Sequence, residues 1–77
     1  MKFDINTYEV LEFDRNIGDL TVYKGFDKSG NVHIVATDGN NSIVFKGPNK
    51  NSKDCDEFIK SVMSTLEKGN FPTLCNL

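Results

Sequence analysis

Apolar and polar positions alternate along most of this chain. Before residue 14, Phe3, Ile5, Leu11 and Phe13 fall on one parity, interrupted by Thr7 and Glu9, while Lys2, Asp4, Asn6, Tyr8, Val10 and Glu12 fall on the other. A period of two marks a half-buried strand, clearest over residues 8–13. Residues 14–19, Asp-Arg-Asn-Ile-Gly-Asp, read as a loop. A second strand over 20–26 sets Leu20, Val22, Lys24 and Phe26 on one face and Thr21, Tyr23 and Gly25 on the other. A third over 31–37 sets Val32, Ile34 and Ala36 against His33, Val35 and Thr37, and a fourth over 42–46 sets Ile43 and Phe45 against Val44.

The connections carry turn chemistry. Asp27-Lys28-Ser29-Gly30 suits a type I turn with glycine in the left-handed position. Asp38-Gly39 predicts a two-residue hairpin with both central residues at positive φ. Residues 47–51, Gly-Pro-Asn-Lys-Asn, break the pattern, and the period then changes. Cys55, Phe58, Ile59, Val62, Met63 and Leu66 recur at helical spacing and form one apolar stripe. Ser52 is the expected N-cap, Asp54, Asp56 and Glu57 suit the positive end of the helix dipole, and Gly69 fits the residue just past the last turn. The helix is placed over 53–68. The tail, 70–77, carries Phe71, Leu74 and Leu77 and is expected to dock.

The predicted architecture is α+β in one small domain. It is a four-stranded antiparallel meander of order 1-2-3-4 with one C-terminal helix on one face, ββββα. The helix should cover Leu11, Phe13, Leu20, Val22, Val32, Ile34, Ile43 and Phe45. The opposite face would then carry Tyr8, Val10, Tyr23, His33, Val35 and Val44, a mixed aromatic and aliphatic surface on a chain of only 77 residues. Exposed apolar surface of that kind marks an interaction site. The competing reading is that the tail or a second copy covers it.

Composition narrows the classes. The chain is 38% hydrophobic and 26% charged, too apolar for a disordered segment. Its net charge is −2, against the basic excess of a nucleic-acid binder. Acids dominate the N-terminal part, where Asp4, Glu9, Glu12, Asp14 and Asp19 face Lys2 and Arg15. Lys46, Lys50 and Lys53 read as a solvated connection. No secretory leader and no membrane-length apolar run is seen, so a cytoplasmic protein is expected. Cys55 and Cys75 then read as free thiols, although a tail folding back along the helix could bring them together.

No constellation for catalysis stands out. His33 is the lone histidine, without a cysteine or serine at motif spacing, and reads as a surface or interface residue. Cys55 sits near a helix start, where thiol pKa can fall, but shares the apolar stripe and reads as inert. The Asp27–Asn31 run lacks the spaced acids of a calcium loop. Two cysteines and one histidine fall short of a zinc site. The expectation is a non-enzyme with no metal and no cofactor.

What remains is binding to another protein. Tyr8, Val10, Tyr23, His33, Val35 and Val44 would supply anchors, since tyrosine is enriched at interface hot spots. Glu12, Asp14 and Asp19 would steer a basic partner or mimic nucleic-acid phosphates. In size, acidity and architecture the chain resembles small phage or mobile-element inhibitors, including anti-CRISPR proteins, and antitoxin or immunity proteins. Asp27-Lys28-Ser29-Gly30, Asp38-Gly39-Asn40 and the Ser52-Lys53 helix start also resemble small YegP-type domains, a resemblance that implies the strand, turn and helix order alone. The first alternative is a homodimer through the same face. The second is a single-stranded nucleic-acid binder using its tyrosines as a stacking platform, which the charge pattern opposes.

Overall fold

Tight turns return each strand onto the one before it. The computed structural model describes residues 5–69. A 3₁₀ turn at Ile5–Thr7 leads into β1 (Tyr8–Ile17), β2 (Leu20–Asp27), β3 (Asn31–Thr37), β4 (Ser42–Asn49) and α1 (Cys55–Lys68). The sheet is antiparallel throughout, in the order β1-β2-β3-β4. The ββββα meander expected from the sequence is therefore the fold.

Inside that frame, β1 departs most from expectation. The loop foreseen at 14–19 is strand down to Ile17, and only Gly18 and Asp19 turn. Gly18 takes φ +58° while Asp19 stays negative, the pattern of a II′ hairpin, whose twist matches that of the strands. β1 also carries two bulges, one between Tyr8 and Val10 and one between Phe13 and Arg15. Each inserts one unpaired residue, Glu9 or Asp14, and each exchanges the faces of the residues beyond it. Strict alternation therefore fails. Directly opposed residues share a face, and the pairs Phe13↔Tyr23, Tyr23↔Val35 and Val35↔Val44 place Phe13 away from the helix. Leu11, opposite Gly25, joins it there. Neither is a core residue as expected, and Val10 and Glu12 lie instead on the helix side. Beyond the second bulge, Ile17 swings back onto the core.

The other connections differ in detail. At Asp27–Gly30 the Gly30 N–H donates to the Asp27 carbonyl at 2.9 Å and Gly30 takes φ +86°, the expected type I turn and left-handed glycine. The β3–β4 hairpin is a four-residue loop and not the two-residue one expected, because Thr37 pairs with Ser42 and only Gly39 has positive φ. The Asp38 carboxylate closes that loop by accepting the Asn40 and Asn41 N–H groups, each at 2.9 Å, an Asx turn. β4 runs on through Gly47 and Pro48 with a register shift. A bulged edge strand tolerates a proline that cannot donate.

The helix begins two residues later than expected. Ser52 caps the preceding turn instead, its Oγ accepting the Asp54 N–H at 3.1 Å, while Asp54 takes the N-cap position with no side-chain cap bond. Gly69 closes the other end at φ +74°. α1 packs mainly across β4 and β3, so the sheet is covered unevenly and β1 stands at the far edge. Leu20, Val22, Ile34, Ala36, Ile43, Val62, Met63 and Leu66 form the core, with Ile17, Phe45, Phe58 and Ile59 packed around it. Cys55 is a buried free thiol. The tail expected to dock, Phe3 and Cys75 lie outside the described residues.

Candidate functional site

The face away from the helix is built by register. Tyr8, Leu11 and Phe13 from β1 share it with Tyr23 and Gly25 from β2, His33 and Val35 from β3, and Val44 from β4. Five of the six anchors read from the sequence are thus together, and Val10 is not. Two of the five cannot touch a partner directly, since Val35 is 0% exposed and His33 5% exposed. His33, expected as a surface or interface residue, is buried within the chain.

Gly25 explains the burial of His33. It opposes Leu11 on β1 and His33 on β3, and its missing side chain leaves a trough across β2. A Cβ there would stand 2.6 Å from the Val10 carbonyl oxygen and 3.2 Å from Tyr8 Cδ1. Tyr8 lies over this trough and meets the imidazole edge-on, with ring centroids 5.1 Å apart and an interplanar angle of 87°. Its hydroxyl is 2.9 Å from His33 Nδ1. His33 Nε2 is 3.2 Å from Asp27 Oδ2. An ionised carboxylate only accepts, so Nε2 carries the proton, and in the neutral ring Nδ1 accepts from the Tyr8 hydroxyl.

Asp27 is itself anchored. Its Oδ1 accepts the Ser29 and Asn31 N–H groups, both at 2.9 Å. These bonds, that of Asn31 foremost, hold its carboxyl below the usual range, with a smaller contribution from His33. Tyr8 moves the other way. Burial, and then the charge of Asp27, push its phenol above the ordinary value, so it keeps its proton. A phenol that resists ionisation is a poor nucleophile or base. The Tyr8–His33–Asp27 line acts as a polar strap from β1 over β2 to β3, and no buried side-chain polar atom among the described residues lacks a partner. No group of three or more metal-ligating side chains occurs among those residues either.

The accessible chemistry lies along β1. Phe13 is 58% exposed and meets Tyr23 edge-on at 6.3 Å, and Val10 is 44% exposed on the opposite side of the strand. Glu9 and Glu12 are exposed beside them, Asp14 occupies the second bulge, and Asp19 lies in the turn. Arg15 is the cation of this strand. It pairs with Asp14 at 2.6 Å and approaches Glu67 of the helix at 3.8 Å. The three acids singled out from the sequence, Glu12, Asp14 and Asp19, therefore belong to one edge and its turn. Phe13 was missed because alternation placed it inward. The signal that could have found it was Ile17-Gly18-Asp19-Leu20, a glycine-first two-residue hairpin that extends β1 and leaves both Phe13 and Ile17 to be placed.

No helix among the described residues is long and apolar enough to cross a membrane. Comparison with protein-family models, with curated proteins and with solved structures returned no match, so the YegP-type resemblance has no family match behind it.

Proposed function

We propose that this chain is a small non-enzymatic protein-binding module that acts by occupying the surface of a basic partner along the edge of β1. Phe13 carries the reading: a large aromatic residue, 58% exposed, braced edge-on by Tyr23 and flanked by Glu9, Glu12 and Asp14. An aromatic anchor held by a neighbouring ring loses little freedom on binding, and the surrounding carboxylates speed encounter with a basic surface and exclude an acidic one. The strap beneath keeps β1 seated while its outer groups engage. Tyr8, Tyr23, His33, Val35 and Val44 serve as the platform, and Phe13, Val10, Glu12, Asp14 and Asp19 as the contact.

The biological role we assign is that of a phage or mobile-element inhibitor, of the anti-CRISPR or the antitoxin and immunity kind. Such proteins are likewise small and act by covering a partner's working surface. The compartment in this reading is the cytoplasm, where a free thiol such as Cys55 stays reduced. Pairing two copies along the β1 edge would bring its acids together, and these acids also repel phosphate, so an edge dimer and the nucleic-acid reading rank below; a homodimer through the sheet face away from the helix stays the first alternative.

The test is affinity capture from the host's cells with wild type and Phe13→Asp, matched for folding by circular dichroism. Wild type is expected to enrich a basic protein that salt releases and that Phe13→Asp fails to hold. Equal capture by both, or capture indifferent to salt, would contradict the reading.

A further inference from the structure

At one end of the molecule the β1–β2 turn, the β3–β4 loop and the last turn of α1 line a shallow, open groove of about 510 Å³. Its apolar lining is the half-buried Ile17, with the edges of the buried core residues Leu20 and Leu66 behind it. Its rim carries Asp19, Asp38 and Glu67. Lys68 is the lone cation of the lining and Arg15 reaches Glu67 from beside it at 3.8 Å, so three carboxylates meet two cations. The C-terminal end of α1 also opens here, where the aligned peptide dipoles leave partial negative charge. Asp38 is kept ionised, since the Asn41 N–H, and then that of Asn40, hold its carboxyl below the usual range.

An apolar floor ringed by negative charge fits a side chain with an apolar stem and a cationic head. Lysine and arginine bury their methylenes against such a floor while the head reaches the rim. Arginine fits better, because its planar guanidinium engages two carboxylates at once. We infer that this groove is the specificity pocket of the interface, taking an arginine with an adjacent aliphatic residue from the partner protein. The inference rests on the protein-binding reading above. It adds a second contact point to the Phe13 edge, joined to it through Arg15, which bridges Asp14 towards Glu67.

The probe is the capped dipeptide Leu-Arg-amide, titrated into the ¹⁵N-labelled full chain, with Leu-Glu-amide as control. Leu-Arg is expected to give saturable shifts at the amides of Asp19, Leu20, Leu66 and Lys68, and Leu-Glu none. Asp19→Asn with Glu67→Gln keeps the floor intact, removes two rim charges, and should weaken the response roughly fivefold. No saturable shift, or equal shifts from both dipeptides, overturns the proposal. So does movement of these amides on dilution, which would make a second copy the occupant. Movement on Leu74→Asp without probe would make the tail the occupant and overturn it as well. Capture by the Phe13 edge is read independently, so either idea can fail alone.

Discussion

Gly25 and Gly47 are the residues at which a single methyl group does most harm. At Gly25 the added carbon meets the Val10 carbonyl at 2.6 Å and Leu11 Cδ1 at 2.8 Å, and backbone cannot step aside cheaply. Gly25→Ala is expected to cost about 1–3 kcal/mol in urea unfolding and to break the Tyr8–His33 hydrogen bond. At Gly47 the obstacle is the Phe58 ring, 2.5 Å from the added carbon. Gly47→Ala should destabilise by a similar amount, about 1–3 kcal/mol, but Phe58→Leu in the same chain should recover part of it. A double-mutant cycle showing no coupling would contradict that packing. The strap predicts pH dependence on both sides. Asp27 and Asp38 have depressed carboxyl pKa values in the fold, so the stability they contribute is present above about pH 4 and is lost as pH falls through the folded values. Tyr8 has a raised pKa, so its contribution is present below about pH 10 and is lost as pH rises past it. Urea midpoints across pH should show both limbs. Asp27→Asn should shrink the acid one, with Asp38 left to contribute the rest, and Tyr8→Phe should shrink the alkaline one.

Among the elements, β2, β3 and α1 were legible and β1 was not, for one physical reason. β2 and β3 are regular against each other, so parity alone sorts Leu20, Val22, Ile34 and Ala36 into the core. The helix stripe of Cys55, Val62, Met63 and Leu66 is buried as its spacing implied. In β1 two bulges reset parity within ten residues, and a bulge leaves no mark in a hydrophobic pattern. Phe13 and Ile17 have the same parity yet lie on opposite faces, and nothing in residues 13–17 announces the change. The Asp38 loop was misread for a related reason. Asp38-Gly39 is a strong hairpin signal, but the carboxylate captures two N–H groups farther on and lengthens the turn. Deleting Asp14 removes the extra residue and leaves plain alternation, with Phe13 still opposite Tyr23 and Ile17 still opposite Leu20 on the core side. Such a chain should keep a urea midpoint close to that of Asp14→Ala, which keeps the count of residues. A much lower midpoint for the deletion would contradict the bulge assignment.

The whole molecule is lopsided. α1 leans on β4 and β3, and β1 is held by its ladder with β2 and by the Tyr8 strap. Local opening should follow that asymmetry, with amides of β1 exchanging with solvent faster than those of β3, and faster still in Tyr8→Phe. The exposed large hydrophobic residues among those described, Val10 and Phe13, both lie on this strand, which is why the proposal places the partner there. The strap and the core are closed systems, while the β1 edge and the neighbouring groove present both apolar surface and unbalanced charge. The central claim concerns that edge, and site-specific photocrosslinking tests it most directly. A benzoyl-phenylalanine at position 13 is compared in host cells with one at position 57, on the exposed side of α1. Crosslinking of one discrete basic partner from position 13, and none from 57, is the predicted result. The same partner from both positions, or from 57 alone, would contradict it.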